Sequence, residues 1–252
     1  MIDKNRIGAL VLAKSKSTLN DKNIRKILNR PLMAYPMLAA INTNLISNLY
    51  LSSDSDTYLK IGSDFGFNSI KRPIELSQAD SKSDDAVLHA INNTPELNQC
   101  DIIIVLHANV GTIYPELIQN AIEILNSNPE ITSVVPAHIN NEYNPYRCFF
   151  SEKGKFLIPS IKNTVGVSPN RQDLPKAYFL DHSFWCIRRT NLDKTFSFCP
   201  WNSLGDKIFP VLTQGMFDVH SEDDFEKTEK WIIENNNKLN YLFNDNSEGV
   251  SK

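Results

Sequence analysis

Asp101-Ile102-Ile103-Ile104-Val105-Leu106 carries the strongest central-strand signal in the chain: a continuous apolar run of strand length. Such runs belong to strands buried on both faces, the condition of the inner strands of a parallel sheet. Ile7-Gly8-Ala9-Leu10-Val11-Leu12-Ala13 is a second run of the same kind. Between the two, strand and helix signals alternate. A polar stretch from Lys14 to Asn29 is followed by a helix starting at Pro31, with Leu32, Tyr35, Leu38, Ala39 and Ile41 near helical spacing. Leu49 to Ser52 reads as a strand, Ser53-Asp54-Ser55-Asp56 as a turn and cap, and a helix then runs to about Phe65. Asn68 to Lys71 forms another strand. Ser83-Asp84-Asp85 caps the next helix, to about Asn92, with acids where the helix dipole favours them. Beyond the central run, Pro115 opens a helix to about Asn126, and Thr132 to Ala137 returns as a strand. This order predicts an α/β fold: an open, doubly wound, mostly parallel sheet.

From about His138 to Gln172 the alternation stops. Asn144-Pro145-Tyr146, a turn at Lys153-Gly154-Lys155 and scattered aromatics suggest an insertion: a lid, a binding arm or an oligomer contact. Ala177 to Ile187 and Gly215 to Val219 read as two more strands. Ser221-Glu222-Asp223-Asp224 starts a last amphipathic helix with Phe225, Trp231 and Ile232 inward. The stretch 237–252, rich in Asn, Ser and Lys, is expected to be disordered, leaving residues 1–236 as one domain.

Composition excludes several classes. Hydrophobic residues are 41% and charged residues 22%, as in ordinary globular chains. Mean hydropathy is −0.30, and no apolar run approaches the roughly 18 residues needed to cross a bilayer. The apolar run Ile7 to Ala13 is too short and too soon followed by Lys14 and Lys16 for a signal peptide, so a cytoplasmic address is expected. With 26 basic and 29 acidic residues the net charge is −3, which argues against a nucleic-acid partner. Cys100, Cys148, Cys186 and Cys199 show no metal-ligand spacing and read as reduced, buried thiols.

Ligands of open α/β sheets bind beyond the carboxyl ends of the strands. The loop after the first strand, Ala13-Lys14-Ser15-Lys16-Ser17-Thr18-Leu19-Asn20-Asp21-Lys22-Asn23, sets three lysines among hydroxyls that can neutralise a triphosphate. It lacks the glycines of a P-loop or dinucleotide fingerprint, and composition alone describes a solvated loop better. Phe217-Asp218-Val219-His220 puts Asp218 and His220 on one face of an extended segment, the spacing for two ligands of one cation. Taken alone, that pair reads as a capping or solvated one. Asp54 and Asp56 share the spacing but suit a helix cap, and His89 reads as a packing or surface residue.

Together these segments resemble the CMP-sialic acid synthetase family, the acylneuraminate cytidylyltransferases, over roughly Ile7 to Ile233. Lys22-Asn23-Ile24 with Arg30-Pro31-Leu32 is similar to the family's "KN(I/L)…(K)PL", and Ser52-Ser53-Asp54-Ser55 to its "STDS". Arg72-Pro73-Ile74-Glu75-Leu76 resembles "RPxEL", Arg171-Gln172-Asp173-Leu174-Pro175 resembles "RQxLP", and Phe217 to Phe225 resembles "IDIDTxxDF". The resemblance implies a Rossmann-like nucleotidyltransferase that couples CTP to a nine-carbon 2-keto acid sugar and releases pyrophosphate. It implies that Ser15, Ser17, Asn23, Arg72 and Ser83 form the nucleotide site, and that Lys14, Lys16 and Lys22 serve the triphosphate. Asp218 and His220 would hold a divalent cation, Mg²⁺ first and Mn²⁺ second. His107, Arg171, Gln172 and Asp181 would face the acceptor, and residues 138–172 would be the arm of a homodimer. The implied partners are CTP and a small acidic acceptor.

The departures from the family pattern cluster at two places. The phosphate loop, "ARxGSKG" in the family, is one residue shorter here, with Lys14 for arginine, Thr18 for lysine and no glycine. On the acceptor side His107 replaces a glutamine, Phe179 an arginine, Asp181-His182 an "NG" pair, and His220 the second metal aspartate. A histidine nitrogen moves metal preference away from Mg²⁺ toward Mn²⁺ or Zn²⁺. Three readings follow: a cytidylyltransferase for a sialic-acid-like 2-keto acid destined for a surface glycan, one for a phosphonate or other small phosphorylated acceptor, and a non-catalytic nucleotide-binding relative.

Overall fold

The structure, a computed structural model, describes residues 3–16, 19–196 and 200–243. β1 (Ile7–Ala13) leads through a loop into a small hairpin, β2 (Lys26–Ile27) and β3 (Arg30–Pro31), and then α1 (Ala34–Asn42). β4 (Asn48–Ser53), α2 (Asp56–Asp64), β5 (Asn68–Lys71), α3 (Ser83–Asn92) and the short α4 (Pro95–Asn98) follow. β6 (Ile102–His107), α5 (Pro115–Ser127) and β7 (Ser133–Ile139) continue the alternation. The inserted arm carries β8 (Phe149–Glu152) and β9 (Phe156–Pro159). β10 (Tyr178–Leu180), β11 (Phe184–Arg188), β12 (Ile208–Leu212), α6 (Glu222–Glu234) and α7 (Asn240–Phe243) complete the described chain.

β1 is buried along its whole length because β4 and β6 flank it in parallel. The sheet runs β5-β4-β1-β6-β11-β7, with β10 and β12 also paired to β7. Only β10 and β11 run antiparallel to their neighbours. Alternate residues feed two cores. Ala9, Val11, Ile104 and Leu106 pack with residues of α1, α2 and α5, while Leu10, Leu12, Ile103 and Val105 pack with α3. Helices thus cover both faces, and the sheet is the doubly wound, mostly parallel one that the apolar runs predict. No helix among the described residues is long and apolar enough to cross a membrane.

Four expectations need correction. The helix expected from Pro31 starts at Ala34, because Lys26 to Pro31 forms a hairpin whose turn residues Leu28 and Asn29 have φ of 46° and 69°. The last strand is Ile208–Leu212, not Gly215–Val219. Pro210 weakens the strand pattern there, yet at a sheet edge it removes no needed ladder bond. Residues 236–243 are helical, and Leu239 and Leu242 are buried with Ile27, Leu32, Tyr35 and Phe225, so the expected tail does not begin at 237. Residues 244–252 lie outside the described chain. Cys148 is exposed, whereas Cys100 and Cys186 are buried; Cys199 is not among the described residues.

The arm departs from the sheet after β7. β8 and β9 pair only with each other, and Phe149, Phe150, Phe156, Leu157 and Ile158 on them are all exposed.

Candidate active site

A cleft of about 290 Å³ opens at the carboxyl ends of β1 and β6, where the register aligns Leu12 with Ser52 and His107. Lys14, Lys22 and Asn23 from the loop after β1 line it, as do Arg72 after β5 and Ser83 in the first turn of α3. His107 from β6, then Asp218 and His220, close the other side. Eight of the side chains proposed from sequence are thereby brought together from five separate segments.

The local structure explains the motif Lys22-Asn23. Both residues sit in a short 3-10 turn entered through Asp21, whose φ of 52° redirects the chain inward, and both are buried. Lys22 Nζ donates to the Val219 carbonyl at 2.6 Å, which ties this loop to the segment carrying Asp218. Burial pushes the Lys22 ammonium below its usual range, and the nearby Asp218 charge partly restores it. Asn23 Nδ2 donates to the Lys14 carbonyl at 3.1 Å, while its buried Oδ1 has no partner among the described residues. Arg72 is 4% exposed, with Nε donating to Ser77 Oγ at 2.9 Å. Burial lowers its pKa, opposed by Asp54.

Asp54 has a different role from the cap read in the sequence. Ser55 caps α2, and Asp54 accepts from the Ser15 amide at 2.9 Å and from the Ser15 hydroxyl. Burial raises the Asp54 carboxyl, but these hydrogen bonds and Arg72 outweigh it and hold the group below the usual carboxylate range. Ser15 therefore anchors the loop and does not line the cleft. Lys16 is exposed and does not line it either. Ser17 lies outside the described residues.

Asp218 is held by Asn109, whose Nδ2 donates to Oδ1, and lies 3.0 Å from His220 Nε2 through Oδ2. The backbone fixes the same junction: Val110 and Asp218 form an antiparallel bridge, and the Val219 amide donates to the Asn109 carbonyl at 3.0 Å. No group of three His, Cys, Asp or Glu converges among the described residues. One carboxylate and one imidazole leave a cation to take its remaining ligands from phosphates and water; Asp218 fits Mg²⁺ or Mn²⁺, and the His220 nitrogen weights the pair away from Mg²⁺.

Three acceptor-side expectations are corrected. Arg171 and Gln172 occupy an exposed turn of the arm, away from the cleft of their own chain, and Arg171 Nη1 bonds Glu142 Oε2 at 2.7 Å. The arm projects from the sheet and carries them with it. Asp181 is buried, but its carboxylate bonds His138 and Thr213 and does not line the cleft.

Sequence reasoning missed Asn109, Trp185 and Trp201, all of which line the cleft. His182, noted only as a departure, lines it too. His107 Nδ1 donates to the His182 carbonyl at 2.5 Å, and Trp185 Nε1 donates to His182 Nδ1 at 3.1 Å. His182 can do this because the strand breaks between β10 and β11, where its φ is 51°. Trp201 lies 4.4 Å from the His182 ring, on a loop tethered by Asp84, which accepts from the amides of Asn202 at 2.9 Å and Ser203 at 3.0 Å. Strand alternation could have flagged Trp185; nothing local marks Trp201.

Burial pushes the His107 imidazole down to about 4, against the hydrogen bond to His182 that favours its charge. The unfolded chain then binds one more proton between the ordinary 6.5 and the folded value. This contribution to stability is full above pH 6.5 and is lost as the pH falls toward 4. His107→Gln is expected to flatten the decline in melting temperature over that interval. Identical declines in both proteins would show that His107 is not held neutral.

Residues 9–192 match the family described as Cytidylyltransferase, most of the sheet included; the cleft-lining residues Trp201, Asp218 and His220 lie beyond the match. The chain belongs to the cytidylyltransferase family. It is 28% identical over 223 residues to a Campylobacter coli protein named post-translational flagellin modification protein B, covering 86% of this chain and 91% of that one. It is 30% identical over 150 residues to a Helicobacter pylori protein named pseudaminic acid cytidylyltransferase and UDP-2,4-diacetamido-2,4,6-trideoxy-beta-L-altropyranose hydrolase, covering 59% of this chain and 29% of that one. The Oncorhynchus mykiss N-acylneuraminate cytidylyltransferase is 23% identical over 235 residues, 92% of this chain and 51% of its own. The chain thus spans under a third of the second relative and about half of the third. In fold, this cytidylyltransferase is similar to a CMP:2-keto-3-deoxy-manno-octonic acid synthetase complexed with CTP, at a TM-score of 0.68 and 13% identity over 91% of this chain and 99% of that one.

Proposed function

We propose that this chain transfers CMP from CTP to the anomeric hydroxyl of an acidic, sialic-acid-like 2-keto sugar, with release of pyrophosphate. The observation that carries the reading is the convergence of Lys14, Lys22 and Arg72 with Asp218 in one cleft of a cytidylyltransferase-family fold. Names of its relatives, which specify pseudaminic acid and N-acylneuraminate, support a sugar acid as acceptor.

In this reading the base lies against Asn23, Arg72 and Ser83. The unpartnered Asn23 Oδ1 can accept from the exocyclic amine of cytosine, a group that uracil lacks. Lys14 and Lys22 neutralise the triphosphate. The acceptor hydroxyl oxygen attacks the α-phosphorus in line and yields its proton to solvent water, the α–β bridging bond breaks, and the charge on the departing pyrophosphate is met by these lysines. Asp218 and His220 would hold a divalent cation, which supplies charge neutralisation at the phosphates. Asn109 keeps Asp218 in place, and the neutral His107, with His182, Trp185 and Trp201, forms the wall facing the acceptor.

The arm completes the proposal. Five exposed apolar side chains on a two-stranded hairpin, Phe149, Phe150, Phe156, Leu157 and Ile158, suit a homodimer contact. Arg171 and Gln172 would then serve the cleft of a second copy.

The test is pyrophosphate release from CTP with Mg²⁺ or Mn²⁺ and a panel of sialic, pseudaminic, legionaminic and octulosonic acids beside aminoethylphosphonate. Release with a sugar acid is expected. Release with the phosphonate alone would establish the second reading, favoured by one observation: Phe179 stands where the family has an arginine, with its ring on His138. CTP binding without release on any acceptor would leave a non-catalytic relative.

A further inference from the structure

Next in the chain to the cleft-lining His182 is a second polar cluster, none of whose members lines the cleft and which the proposed reaction does not use. His138 Nδ1 donates to Asp181 Oδ1 at 2.6 Å, and Thr213 Oγ1 donates to Asp181 Oδ2. The Asp181 residue is 6% exposed. A buried carboxylate is costly unless its oxygens are paired, and here both are. The His138 ring stacks on Phe179 with centroids 5.8 Å apart and planes 25° apart. Carboxylate and phenyl ring together fix both tautomer and orientation, as second-shell carboxylates do for working histidines. That leaves Nε2 as the ring atom open to a ligand. It has no partner among the described residues, and the side chain is 32% exposed.

The cluster adjoins two segments that line the cleft. Asp181 precedes His182 in the chain. Gly215, close enough that a Cβ there would sit 3.9 Å from His138 Nδ1, lies on the segment that leads to Asp218. A cleft of about 290 Å³ is at the lower bound of ordinary ligand pockets. In the proposed reaction CTP and the reacting end of the acceptor share this volume, so the far end of an elongated acceptor would extend past the rim. There the arginine expected at position 179 is Phe179, and the carboxylate expected to face substrate at Asp181 is turned onto His138.

We infer that His138 is an acceptor-recognition residue whose Nε2 accepts from a hydroxyl of the acidic acceptor, and that Asp181 and Thr213 are positioning residues that hold its ring. The inference rests on the proposed cytidylyl transfer. The experiment follows the His138 ring proton by NMR, identified by its absence in His138→Gln, while CTP and then each acid of the panel are added. The expected result is no movement with CTP and a saturable shift with the acceptor that supports pyrophosphate release. In kinetics, Asp181→Asn is expected to raise the acceptor KM about tenfold, the effect of one lost charge-assisted hydrogen bond, and to leave the CTP KM within about twofold. His138→Gln, which keeps a polar group at the same reach, should retain more activity than His138→Ala.

A shift with CTP alone, equal rises in both KM values, or no change in either overturns the assignment. Release with a phosphonate only would refute the sugar-acid reading, and the ring titration with that phosphonate would still decide His138. Silence in both pyrophosphate release and the ring resonance would overturn both.

Discussion

Asp218→Ala is expected to lower pyrophosphate release by about 1,000-fold, the upper range for removing one preorganised electrostatic group from an active site. Asp218 is the only carboxylate lining the cleft among the described residues, and it sits between Asn109 Nδ2 and His220 Nε2. Removing it deletes the one carboxylate among the described residues lining the cleft and takes the Asp218 oxygen away from His220. The folded chain should tolerate the change, because the side chain is 38% exposed and the backbone bridge to Val110 does not depend on it. Steady-state pyrophosphate release with Mg²⁺ and with Mn²⁺, beside a melting curve, checks the result. Turnover within a few-fold of the parent would remove Asp218 from the reaction.

Lys22→Met comes second and separates charge from shape. Methionine fills most of the buried volume but cannot neutralise a triphosphate or donate to the Val219 carbonyl. A loss of about 100-fold or more in kcat/KM for CTP is expected, since the ammonium acts on charge that develops at the phosphates. Stability should change far less. The orphaned carbonyl costs about 1–3 kcal/mol, and removal of a desolvated ammonium offsets part of it. A kcat/KM that fell only in step with the melting temperature would show that Lys22 ties the loop to Val219 and does nothing for the nucleotide.

The contrast between these residues and the arm shows where sequence reading succeeds. Lys22, Asn23, Arg72 and Asp218 were marked by the motifs of the family resemblance; the strand pattern alone indicated only the end of the sheet where a ligand binds, and read the Lys22 loop and the Asp218–His220 pair as solvated. The apolar runs Ile7 to Ala13 and Ile102 to Leu106 were legible because a strand buried on both faces admits no polar residue. Ser15 and Lys16 misled, because a loop's composition does not say which side chains turn inward. Asp54 decides that locally by capturing Ser15, a contact between residues 39 positions apart. The edge strand Ile208–Leu212 was hidden by Pro210, which only a missing neighbour makes harmless.

Local pattern, a matter of periodicity and short-range backbone preference, was enough to settle the doubly wound sheet and the face on which a ligand would bind. The cationic side chains of the cleft were named through the family resemblance, since composition alone read the lysine-bearing loop as solvated. The acceptor side lay beyond local pattern. His182 reaches His107 and Trp185 only because the antiparallel segment breaks between β10 and β11. Trp201 reaches the cleft only because Asp84 on a distant helix holds its loop, and Asp181 faces His138 and Thr213 because three segments converge there. Such contacts depend on how whole elements pack, and no spacing along the chain encodes them.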